Sequence, residues 1–194
     1  MMSIVTIIVA AVLSNNVVFS QTLGICPYMG VSKKTNTAVG MGVAVIFVMA
    51  VTSLLTYALY AWVLVPLDLD FLKTIVFIFV IAAFVQLVEI TLKKFVPTLY
   101  NALGIYLPLI TTNCCVLGIA IVNVTGAEIH NLFEAFINGA FVGVGFLLAL
   151  ILMSGIRERI ARNDVPQPFN GFPIALLSAG IIAMAFMAFS GLAF

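Results

Sequence analysis

Six apolar stretches, each about the length that crosses a bilayer, constrain this 194-residue chain more than any other feature. A spanning helix needs roughly 20 apolar residues in succession. The stretches run near Ile4–Gly24, Ala38–Trp62, Leu72–Leu92, Leu103–Val122, Leu132–Gly155 and Pro173–Phe194. Charged residues make up only 8% of the chain, against about a quarter in soluble domains. A soluble fold of this composition has too little polar surface to stay dissolved. No polar connection exceeds roughly fifteen residues, too short to bury a core of its own. The expected fold is therefore all-α and integral to the membrane, a single domain of six transmembrane helices over residues 1–194. Met1–Leu13 has no basic residue ahead of it and no small-residue cleavage site after it, so it reads as the start of a retained helix. A net charge of +1 gives no electrostatic footprint for nucleic acid.

The basic residues set an orientation. Lys33, Lys34, Lys93, Lys94, Arg157, Arg159 and Arg162 are seven of the eight, and all fall in the first, third and fifth connections. Only Lys73 lies elsewhere. The positive-inside bias places those connections in the cytoplasm. Both termini then face outward, as do Asp68, Asp70, Glu128, His130 and Glu134.

Two spans are interrupted. In the first, Asn15 and Asn16 sit mid-span, and Gly24, Pro27 and Gly30 disturb its later part. Proline lacks the backbone donor and biases the residue before it away from helix, so a break is expected near Cys26. In the fourth, Pro108, Thr111, Thr112 and Asn113 interrupt the span just before Cys114. Irregular backbone survives at membrane depth only where protein covers it. The two breaks share a pattern: Cys26 to Gly30 and Cys114 to Gly118 are both C-x-x-x-G, 88 residues apart. Three spans lie in each half, so the second half enters the membrane inverted. The expected architecture is two inverted three-helix repeats, near 1–95 and 100–194, with broken first and fourth helices. In such folds, function sits where the broken helices meet.

A cysteine in a membrane helix is ordinarily a small packing residue. Recurrence at both breaks sets Cys26 and Cys114 apart as candidate metal and cofactor ligands. Cys115 has no counterpart in the first half and keeps the packing reading. Thiolates suit iron–sulfur clusters, zinc or Cu(I). A [2Fe–2S] cluster typically takes four cysteines, so a cluster here needs a second chain. Elsewhere the bland readings hold. Glu89 precedes Lys93 by one turn, in the order that steadies a helix end. Arg157-Glu158-Arg159 reads as an interfacial anchor. Asn15 and Asn16 are expensive in lipid and are expected to face protein, whether by bonding across helices or by binding a partner. Gly40, Gly42, Gly139, Gly143 and Gly145 read as sites of close helix approach. No residue set for catalysis on this chain alone is evident.

The runs LGICPYMGVSKK (Leu23–Lys34), LGIYLPLITTNCCVLGIA (Leu103–Ala120), IRERIARNDVPQPFNG (Ile156–Gly171) and AFMAFSGL (Ala185–Leu192) closely resemble the RnfA proteins of Rnf electron-transport complexes. A sister family is the E-type component of the sodium-pumping NADH:quinone reductase. The resemblance covers essentially the whole chain. It implies a subunit of a translocase that passes electrons between ferredoxin and NAD while moving Na+ or H+ across the bacterial inner membrane. It implies a paralogous, RnfE-like partner of opposite orientation, alongside the B, C, D and G components of the Rnf complex. Flavins and the remaining iron–sulfur centres belong to those other subunits. It further implies that Cys26 and Cys114 hold a membrane-embedded [2Fe–2S] cluster shared with the partner. Cys115 departs from the family, where alanine is common. Two other functions fit inverted repeats: a secondary transporter and a structural scaffold. Against the transporter, no charged side chain stands at mid-span.

Overall fold

The structure, a computed structural model, describes residues 11–12, 15–66, 70–95, 109–110, 112–125, 131–163 and 166–188. Asp68, Pro97, Pro108, Thr111, Glu128 and His130, with the outer parts of the first and last spans, lie outside the described residues.

The described residues hold six α-helices and no strand. They are α1 (Ile25–Val31), α2 (Thr35–Leu59), α3 (Lys73–Phe95), α4 (Cys114–Thr125), α5 (Leu132–Ile160) and α6 (Phe172–Met187). Three segments are long and apolar enough to cross a membrane: Thr35–Leu64, Lys73–Thr91 and Leu132–Ile160. α4 and α6 are shorter apolar helices. This is an all-α membrane protein, and the second, third and fifth expected spans are these three long helices.

Local chemistry sets the ends. α2 continues through a π-helical turn, Tyr60–Leu64, with Val65 still helical and its N–H bonded to the Tyr60 carbonyl, and stops at Pro66, which has no backbone N–H to extend the ladder. α3 closes on Lys93 and Lys94, and α5 on Arg157 and Arg159, cations that favour the negative end of the helix dipole. Hydroxyls inside the spans bond back to their own helices. Thr56 donates to the Thr52 carbonyl, Thr91 to Leu87 and Ser178 to Ile174. No polar side-chain atom of these three is left for lipid.

The core is the antiparallel pair α2 and α5, and glycine sets its spacing. A Cβ on Gly143 would stand 2.8 Å from the Ile46 Cα, and one on Gly139 would stand 2.6 Å from the Ser53 Cβ and 2.8 Å from the Met49 carbonyl oxygen. At the other end, Gly42 takes the Leu147 side chain in the same way. Without a hydrophobic force to drive helices together in lipid, such close approach and the dispersion contacts it permits hold the pair. Gly40, by contrast, has nothing near it and is no part of this contact. Glu158 at the end of α5 accepts from the Thr35 backbone N–H at 2.9 Å and from its hydroxyl at 2.7 Å, so one helix end caps the next.

Candidate metal centre

Both cysteine-bearing breaks appear, and at the first it is Gly24, not Pro27, that marks the turn. Pro27 is the third residue of α1, in the first turn, where its missing N–H costs no helical bond. Cys26 is itself helical. The chain turns instead at Thr22 (φ 54°) and Gly24 (φ 76°), the left-handed region that glycine enters freely. At the second break, the Asn113 side chain accepts from the Cys115 backbone N–H at 3.1 Å. That is a conventional N-cap, and it starts α4 with Cys114 as its first residue.

The two breaks meet. The Gly24 N–H donates to the Cys114 Sγ at 2.9 Å, across 90 residues of sequence. Gly24 has no room for a side chain: its Cβ would overlap the Cys115 Sγ and stand 2.9 Å from the Phe146 ring. Leu23 packs against Gly118 of α4 in the same manner. Cys26 and Cys114 are exposed, and Cys115 is fully buried behind Gly24. The structure thus separates the three thiols into two that can reach a second chain and one that cannot.

From this meeting point the half-helices run in opposite directions. α1 ends beside the start of α2 and the end of α5. There Arg157 donates to the Met29 carbonyl at 2.8 Å and to the Ser32 hydroxyl at 2.9 Å. α4 ends beside the far part of α2, where Asn123 donates to the Ser53 hydroxyl and accepts from the Asn138 amide at 2.8 Å. The helices are 7 and 12 residues long. At about 1.5 Å per residue they span about 28 Å together, close to the roughly 30 Å hydrocarbon core. Their combined length is thus about that of one membrane crossing, with the cysteines at the junction between the two.

Asn16 and Asn15 part company. Asn16 is buried, accepts from the Val18 N–H at 3.1 Å, and donates to the Gly145 carbonyl of α5 at 2.9 Å. Asn15 is exposed. Sequence reasoning missed Arg157, read as an anchor but acting as the cap of α1, and also Asn123 and Asn138. No local signal couples Arg157 to residues 125 and 128 positions away. It also missed Tyr28. Tyr28 is buried against Phe19 with the rings edge-to-face at 5.9 Å, and Phe19 packs on Phe186 of α6 at 4.5 Å.

Two buried side-chain atoms lack a hydrogen-bond partner among the described residues, the Tyr28 Oη and the Asn113 Nδ2. Each such atom costs about 1–3 kcal/mol. Both stand within two residues of an exposed cysteine, and unsatisfied groups of this kind call for a functional account. No group of three or more His, Cys, Asp or Glu residues that could hold a metal occurs among the described residues. The donor set is therefore two soft sulfurs facing outward, which fits half of a four-cysteine cluster and not a complete site.

Relatives from several bacteria match this chain's sequence nearly end to end. The chain is 53% identical over 191 residues, 98% of each chain, to the A component of the Na(+)-translocating ferredoxin:NAD(+) oxidoreductase complex of Acetobacterium woodii. It is 51% identical over 192 residues to the A component of the ion-translocating oxidoreductase complex of Actinobacillus pleuropneumoniae, and equally to that of Azotobacter vinelandii, in each case over 99% of this chain and 98% of the relative. Residues 4–193 match the family described as Rnf-Nqr subunit, membrane protein. On this full-length match, and with the all-helical membrane fold above, the chain belongs to the Rnf-Nqr subunit family.

Proposed function

We propose that this chain is a membrane subunit of an ion-translocating ferredoxin:NAD oxidoreductase of the Rnf type, and that Cys26 and Cys114 supply half the ligands of a [2Fe–2S] cluster shared with a paralogous subunit. The relatives' names support the complex and its chemistry. The observation that carries the ligand assignment is the Gly24 N–H bond to the Cys114 Sγ, which joins two exposed thiols' segments at the junction of the half-helices. A [2Fe–2S] cluster at this place supplies a one-electron carrier within the membrane, and the complex as a whole couples that electron flow to movement of Na+ or H+.

The chain's own groups do the holding. α4 presents Cys114 at its N-terminus, where the helix dipole favours negative charge on sulfur. The Gly24 amide adds a hydrogen bond to that sulfur, and such bonds help set the potential of an iron–sulfur centre. The Asn113 cap fixes the start of α4. Cys115 and Phe146 fill the space behind Gly24 and keep water from that side. The opposed half-helices support the reading of two inverted repeats, near 1–95 and 100–194. The central pair supports it too: Gly42 and Gly139 are 97 residues apart, as are Ile46 and Gly143, the residues at the crossing. The offset exceeds the 88 at the cysteines because the stretch from Cys114 to Leu132 is nine residues longer than that from Cys26 to Thr35. The basic connections support an orientation with the termini outside and Lys33, Lys93 and Arg159 in the cytoplasm, in the inner membrane.

The test is made on the intact complex. Cys26→Ser and Cys114→Ser each remove the cluster's visible absorption and spin-resonance signals and halt electron transfer, while the flavins on other subunits still reduce. If both variants keep the signals, the cysteines are packing residues and the scaffold reading holds. Topology is tested separately: a cysteine at Lys93 escapes impermeant reagents added to sealed cells, and its labelling from outside would refute the orientation.

A further inference from the structure

α2 and α3 line an open groove of about 700 Å³. Its walls are apolar. Gly40, Val43, Phe47 and Val51 line one side, and Phe84 and Val88 are among those on the other. Gly40 has open space where a side chain would be, so it widens the groove. The polar residues Glu89 and Thr91 lie together at one end, next to Lys93 and Lys94. From Gly40 to Val51 the groove follows α2 for about 16 Å at roughly 1.5 Å per residue. That is about half the hydrocarbon thickness, the depth of one leaflet.

All four lysines are exposed. Lys33 and Lys34 precede the first residue of α2, and Lys93 and Lys94 sit in the last turn of α3. The groove pairs the early part of α2 with the late part of α3, so both lysine pairs lie toward the same end of it. Among the described residues, Glu89 is the one carboxylate lining it, and it lies deeper than Lys93 by one turn. That leaves an excess of positive charge at the headgroup level. Basic clusters between spanning helices at the cytoplasmic face are suited to anionic lipid headgroups.

We infer that this groove is a binding site for an anionic phospholipid, with an acyl chain along α2 and α3 and the phosphate against the lysines. The site is independent of the cysteines and rests on the orientation proposed above, which puts the lysines at the cytoplasmic face.

The experiment uses the intact complex in nanodiscs of mixed phosphatidylglycerol and phosphatidylcholine, with a photo-crosslinking side chain at Val43 and lipid retention read by native mass spectrometry. The expected result is a phosphatidylglycerol adduct at Val43 and preferential retention of that lipid. Lys33→Gln with Lys34→Gln lowers retention about fivefold for each lysine removed. Gly40→Phe, whose Cβ meets open space, fills the groove and abolishes the adduct, with the thermal midpoint of the complex read alongside to show that the fold is kept. A protein adduct at Val43 would show that a neighbouring chain covers the groove, and would overturn the inference. Equal retention of both lipids, or retention unchanged by the lysine and Gly40 variants, would overturn it as well.

Discussion

The two cysteine-bearing breaks carry the same short sequence pattern and are built by different means. At the first, backbone conformation makes the turn: Thr22 and Gly24 enter positive φ, and Pro27 follows in a seven-residue helix. At the second, a side chain makes it: Asn113 caps a twelve-residue helix that begins at Cys114. The far ends differ too. α1 is finished by a cation from α5, Arg157, whereas α4 ends in the neutral network of Asn123, Ser53 and Asn138. Even the matching glycines diverge. Gly118 accommodates Leu23, while Gly30 faces open space. What the two breaks share is a cysteine beside the turn, and the local devices that place it differ.

Substitutions can break that comparison at several strengths. The largest expected effect is all-or-none: serine at Cys26 or Cys114 should end assembly of the proposed cluster in the intact complex, read by spin resonance. If only one of the two did so, the halves would be unequal in function as well as in construction.

Next is Gly24→Ala, which combines a left-handed backbone with overlap against Cys115 and Phe146. It is expected to cost about 2–4 kcal/mol, seen as a lowered thermal midpoint of the solubilised complex. Adding Cys115→Ala should recover part of the loss, a coupling that independent sites would not show.

Arg157→Ala removes two charge-assisted bonds from the end of α1 and should cost about 1.5–3 kcal/mol. Protease sensitivity near Lys33 checks this, with Arg157→Lys intermediate.

Asn113→Ala should cost about 1 kcal/mol, and Asn113→Ser, which retains a capping oxygen, much less. Equal losses in the two would mean that the amide Nδ2, and not the cap, is what α4 needs. Smallest is Cys115→Ala alone, at most about 1 kcal/mol with the cluster signals unchanged.

The sequence announced the membrane, the spans and the neighbourhood of both breaks, because those are decided locally. Apolar length fixes what crosses a bilayer, and glycine, proline and capping residues act on their immediate neighbours. It named Gly24 and Pro27 together as interruptions near Cys26, and only the settled helix shows that Gly24 makes the turn while Pro27 is tolerated in the first turn of α1.

What tertiary structure alone decided is who meets whom. Helices that are apolar all round carry no moment to say which face is buried. The glycines at Gly42, Gly139 and Gly143 therefore acquire their meaning only once α2 and α5 cross. Arg157 reads as an anchor until Met29 and Ser32, far off in sequence, arrive beside it. Sequence named three cysteines and argued for two. Burial of Cys115 and exposure of Cys26 and Cys114 come from the packing of Gly24 against α4, a contact across 90 residues that no local pattern encodes.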